Sequence, residues 1–203
     1  DCSAVGVTVK AYRDVGGIVG ATYGDVTGCT VKDVKVIADQ LGHANKNVNS
    51  GSVVGSHLNG TVDDNSVAGT QTFEYIGCVP NGTVVLDEGI SVAVKSVNST
   101  SGMTVSGSGK LVLDKVVIAA SSGSALTLED GSDIVLEIVG TCSLTGAAGG
   151  NGITVPETSE ITITGDTLTA VGNGGYEYSG IAESAYISTV SERYGNTNDS
   201  SYL

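Results

Sequence analysis

Residues 15–36 read VGGIVGATYGDVTGCTVKDVKV, and residues 49–70 restate the pattern as NSGSVVGSHLNGTVDDNSVAGT. Ile18-Val19-Gly20 lies over Val53-Val54-Gly55 at an offset of 35. Gly28-Cys29-Thr30-Val31 lies over Asp64-Asn65-Ser66-Val67 at an offset of 36, so one residue is inserted between the two blocks. A third copy, DCSAVGVTV at residues 1–9, matches GCTVKDVKV at an offset of 27 and is a back half without a front half. Repetition at a few tens of residues constrains the fold more than any single motif does. Each unit is too small to bury its own apolar face and must bury it against the next copy, which is the logic of a solenoid.

The residue types point to strands. The apolar residues are mostly Val, Ile, Leu and Ala, with 1 Phe and no Trp, and 30 Gly accompany only 2 Pro. β-branched side chains suit a pleated, half-buried surface, and glycine supplies tight turns. After a seam at residues 73–80, short apolar runs recur at 83–86, 90–94, 103–105, 111–113, 116–118, 126–128, 134–139, 153–155, 161–163 and 168–171. Ser, Gly, Asn and Asp punctuate them, and the spacing leaves no room for crossover helices. Residues 37–48 depart from the pattern and read as a lateral insertion carrying a short helical turn. The expected fold is all-β, a right-handed parallel β-helix several turns tall. The alternative is a β-sandwich, which would require antiparallel hairpins. Three regions are expected: repeat turns at 1–72, turns of a second style continuous with them at 73–175, and a tyrosine-rich cap or tail at 176–203.

The motif Gly16-Gly17-Ile18-Val19-Gly20, then Gly24-Asp25-Val26, then Gly28-Cys29-Thr30-Val31, resembles the GLUG repeat of bacterial extracellular and cell-surface proteins. The resemblance covers about the first 70 residues. Residues 161–175, ITITGDTLTAVGNGG, are similar to glycine-rich units of large surface proteins from gut-type bacteria, with Asp166 where those units carry glycine. Both resemblances imply a β-helix-like scaffold on the outside of a cell, and neither implies a substrate.

Net charge is −13, with 9 basic residues that form no cluster. A phosphate backbone requires clustered Lys and Arg, so nucleic acid is excluded as a partner, and an anionic membrane surface with it. No apolar run reaches the length of a membrane span. The chain opens at Asp1 inside a repeat, which is expected of a processed piece of something longer.

Chemistry-bearing residues are few. Cys2 and Cys29 hold the same repeat position, where stacked strands lie about 4.8 Å apart. That separation is within the roughly 4.4 to 6.8 Å a disulfide accepts between Cα atoms. The pair is a candidate disulfide; the other reading is a ladder of small buried residues continued by Asn65, with both thiols free. Cys78 and Cys142 have no repeat relation. No two cysteines have zinc-ligand spacing, and His43 and His57 stand apart from them, so no metal site is expected. The pairs Asp63-Asp64, Asp87-Glu88 and Glu129-Asp130 fall between strands. A glycosidase would need two carboxylates from different turns converging on one groove. No serine elbow and no calcium nonapeptide is present. Tyrosine is concentrated at the C-terminal end, and Tyr176, Tyr178, Tyr186 and Tyr194 are candidates for ligand contact or for covering the end of the stack.

The functional expectation is a non-catalytic extracellular surface protein, adhesin-like, holding no cofactor and binding a cell-surface glycan or protein. The alternative is a subunit that assembles with copies of itself head to tail into an extracellular filament or sheath. A polysaccharide lyase or hydrolase ranks third.

Overall fold

A computed structural model of the chain describes residues 2–42 and 47–173. Among these, every regular element is a β-strand and none is a helix. All the strand–strand registers are parallel. The antiparallel contact is an isolated bridge between Gly150 and Asn173. A sandwich needs antiparallel hairpins, so the parallel registers remove that alternative.

The sequence offsets are the pairing registers. Ser3 pairs Thr30 and Thr8 pairs Lys35, both 27 residues on. Val15 pairs Ser50 and Val19 pairs Val54 at 35, and Val26 pairs Val62 and Thr30 pairs Ser66 at 36. A second inserted residue appears between Ala68 and Gln71, after which Val36 pairs Phe73 at 37. Gly69 serves this bulge with a φ of +66°. A side chain there would strike the Asp33 carboxylate, whose Oδ1 accepts the Thr70 N–H at 2.9 Å. Beyond residue 71 the repeat shortens and then lengthens: Phe73 pairs Val92, Val92 pairs Leu111, Leu111 pairs Leu136, and Leu136 pairs Ile163.

One inward column therefore runs Val9, Val36, Phe73, Val92, Leu111, Leu136, Ile163 through seven successive rungs. Within it Val36, Val92, Leu111, Leu136 and Ile163 are buried, Leu111 and Leu136 completely, while Phe73 is partly buried. Alternate residues along each strand point outward, as period-2 geometry requires; in Asp133–Ala148, Ile134, Leu136 and Ile138 are buried while Asp133, Val135 and Val139 are exposed.

The structure departs from two sequence expectations. Residues 37–39 are not part of an insertion: they complete the Thr30–Asp39 strand and pair with Glu74, Tyr75 and Ile76. The expected change of repeat style at 73–80 coincides with a change of register offset, from Val36 with Phe73 to Phe73 with Val92, and the Ser66–Ile76 strand pairs on both sides. Pairs of short runs are also fused. Met103–Asp114 and Glu160–Asn173 are each one strand. Gly107 and Gly165 sit inside them with φ of +86° and +100°, turning the chain while the pairing continues.

Candidate functional site

The register sets Cys2 beside Cys29, since the Thr30 N–H donates to the Cys2 carbonyl at 2.8 Å, and Cys29 beside Asn65 by the same bond from Ser66 at 2.8 Å. Positions 2, 29 and 65 therefore lie on successive strands, and the thiols of Cys2 and Cys29 are free. Cys2 is exposed and Cys29 buried. The Cys29 thiol turns to the Thr27 carbonyl at 3.6 Å rather than toward Cys2. The next rung explains its packing: Asn65 Oδ1 accepts the Cys29 N–H at 2.9 Å, and Asn65 Nδ2 donates to the Val26 carbonyl at 2.8 Å. Cys78 and Cys142 are also buried, and burial pushes the Cys142 thiol pKa up.

The adjacent carboxylates engage separate partners. Asp63 Oδ1 accepts the N–H of Asp64 at 2.8 Å, which is local turn chemistry. Glu129 Oε1 accepts the Thr83 hydroxyl at 2.9 Å, whereas Asp130 turns to Thr158 at 3.3 Å. Among the described residues no three of His, Cys, Asp and Glu stand where they could hold a metal ion. His57 is exposed. His43 and the tyrosines at 176, 178, 186 and 194 lie outside the described residues.

The outer surface carries three ordered polar features. The first is a threonine ladder in which Thr83 pairs Thr104, Thr104 pairs Thr127, and Thr127 pairs Thr154. Their neighbours Met103, Val105, Leu126, Leu128 and Ile153 are buried, so the four hydroxyl-bearing side chains face outward. Adjacent strands set the rungs about 4.8 Å apart. At the far end the Thr154 hydroxyl meets Ser124 Oγ at 2.7 Å and accepts from Asn151 Nδ2 at 3.1 Å.

The second is a charge cluster on the long sheet. Glu74 Oε1 accepts from Lys35 Nζ at 2.9 Å and from Lys95 Nζ at 3.1 Å, one rung to each side. Partial burial of Glu74 works to raise its pKa; the two ammonium hydrogen bonds outweigh that and hold it below the usual glutamate value. The third is an amide ladder: Asn81 Nδ2 donates to Asn49 Oδ1 at 2.8 Å, and Asn49 Nδ2 donates to Asp14 Oδ1 at 2.8 Å. A carboxylate accepts, so Asp14 ends this chain of donors.

No reading of spacing finds the threonine ladder, because its intervals are 21, 23 and 27 residues. A signal did exist in the alternation of Thr with apolar residues at TVVL, MTV, LTL and IT. Among the described residues no helix is long and apolar enough to cross a membrane. In comparisons with known proteins, no family model, no curated sequence and no solved structure matches this chain.

Proposed function

We propose that the chain is a right-handed parallel β-helix that works as a non-catalytic extracellular surface protein, adhesin-like, attaching to a glycan chain or an extended protein. The observation that carries this reading is the threonine ladder. Four outward threonines at one-strand intervals form a regularly spaced row, with the Glu129 carboxylate holding the Thr83 hydroxyl at one end. A linear polymer of repeating polar groups can meet such a row at several points in succession. Each such hydrogen bond contributes only about 0.5–1.5 kcal/mol net, so attachment relies on repetition rather than on one strong contact. The handedness follows from the rule for parallel crossovers, and the parallel registers at one-repeat offsets support the helical reading.

The test is a glycan and matrix-protein array probed with the native chain and with the double variant Thr104→Val, Thr127→Val. Valine keeps the branched shape and removes the hydroxyl. Binding by the native chain, weakened about tenfold or more in the variant, is the expected result. Binding that survives unchanged would move attachment to another surface, and hydrolysis of an arrayed glycan would replace the reading with an enzymatic one.

Head-to-tail assembly into a filament is the second reading. Parallel rungs support it, because a stack of them offers two different, mutually complementary edges, which is the geometry of heterologous association. Electron microscopy of the purified chain distinguishes fibres from single particles.

A further inference from the structure

The two rungs of the N-terminal repeat do not end alike. Val26 and Val31 are 8% and 0% exposed, whereas their register partners Val62 and Val67 are 40% and 48% exposed. Both later valines occupy core positions with no rung above them among the described residues. The strands Val54–His57, Val62–Asp63 and Ser66–Ala68 pair on one edge, with 19–22, 26–27 and 30–32. Among the described residues nothing pairs on their other edge. Gln71–Ile76, in the same strand as Val67, is paired on both sides. The chain takes a shorter path at 82–89, with Gly89 reaching over Gly69 and its carbonyl accepting the Gln71 N–H at 2.7 Å. The result is a step whose floor is an unpaired parallel edge flanked by bare valines.

Natural edges are commonly guarded by lysine, proline or a bulge. The strands of this floor contain neither lysine nor proline, and their one carboxylate is Asp63. The step is acidic: no Lys or Arg occurs between Lys46 and Lys95. Asp63 and Asp64 lie on the floor, and Asp87 and Glu88 lie in the turn leading to Gly89. None of the four forms an ion pair among the described residues.

The geometry points to strand addition at this step: a segment of another polypeptide, β-branched at alternate positions and carrying lysine or arginine at its flanks, bends with the turns of residues 54–68, pairs in parallel with their three short strands and covers Val62 and Val67. Main-chain hydrogen bonds supply the general affinity, the two valines select apolar side chains at alternate positions, and the carboxylates select a basic partner. Charge argues against the chain's own material. A second copy brings a net charge of −13, and residues 174–203 hold Glu177, Glu183, Glu192 and Asp199 against Arg193 alone.

The experiment titrates the full chain, labelled for amide NMR, with two synthetic peptides of one alternating Val-Thr sequence, one flanked by lysines and the other by glutamates. Expected are shifts and slowed amide exchange concentrated in residues 54–70, and binding about tenfold tighter for the lysine peptide at low salt. Val67→Ser, with its remaining amide spectrum unchanged, weakens that binding. Absence of binding by either peptide, equal binding of both, or shifts centred elsewhere would each overturn the inference. Self-association through 54–68 would overturn it in favour of a second copy.

Discussion

Ser96 and Lys115 occupy the same corner of successive rungs, and both hold left-handed backbone, with φ of +53° and +54°. Gly77 and Gly140 occupy the corner on the rungs before and after, at +70° and +69°. The corner is one hydrogen-bonded column: Gly77, Ser96 and Lys115 donate their N–H groups to the carbonyls of Lys95, Asp114 and Val139 at 2.9, 2.8 and 3.0 Å. The fold thus demands one conformation that glycine adopts freely and L-residues adopt at a cost of about 1–2 kcal/mol.

Lys115→Gly and Ser96→Gly are expected to stabilise the protein. Relief of the left-handed cost exceeds the added unfolded-state entropy of glycine, about 0.4–1 kcal/mol, leaving a gain of roughly 0.5–1 kcal/mol each. The reverse change has a graded outcome. At Gly77 a Cβ would meet Leu41 backbone at 2.8 Å, whereas at Gly140 it would meet the flexible Lys115 Cγ at 3.2 Å. Gly77→Ala should therefore lower the denaturation midpoint more than Gly140→Ala, as urea titration measures.

Leu111→Ala opens the fully buried inward column between Val92 and Leu136. A loss of about 2–5 kcal/mol in urea unfolding is expected. Val67→Ala, at a half-exposed position of the same chemistry, should cost less than about 1 kcal/mol.

Glu74 gives the stack an acid-sensitive contact. Its folded pKa lies below its ordinary value of 4.5, so its contribution is present above that value and is lost as pH falls through the depressed folded pKa. Glu74→Gln should flatten the pH dependence of stability below about pH 4.5, and Lys35→Met with Lys95→Met should flatten it likewise. An unchanged slope in both variants would show that the cluster is loosened in solution.

Thiol titration distinguishes the four cysteines. In the reduced native protein Cys2 is exposed, whereas Cys29, Cys78 and Cys142 are buried. One thiol should react promptly with a disulfide reagent and three only on unfolding.

Most of the stacking was legible in the sequence because a parallel rung pairs with its own repetition. The offsets between Val19 and Val54 and between Val31 and Val67 are pairing registers, so likeness of sequence and proximity in space coincide. The corners were less legible. Glycine at 107 and 165 reads as a break, yet in left-handed conformation it lets a strand bend without losing its partner. The exposure of Val67 was hidden as well, because a core pattern shows which face a residue belongs to and not whether a further rung covers it. The threonine ladder escaped for a third reason: rungs of unequal length align residues at unequal intervals.

Every inference above depends on successive repeats lying side by side in parallel. The most direct measurement is the set of backbone nuclear Overhauser contacts in the labelled protein between Val31 and Val67, Leu111 and Leu136, and Leu136 and Ile163. The account predicts contacts between Hα and amide protons in the staggered pattern of parallel strands at each of these pairs. Close Hα–Hα contacts between strands adjacent in sequence, the signature of antiparallel hairpins, would contradict it.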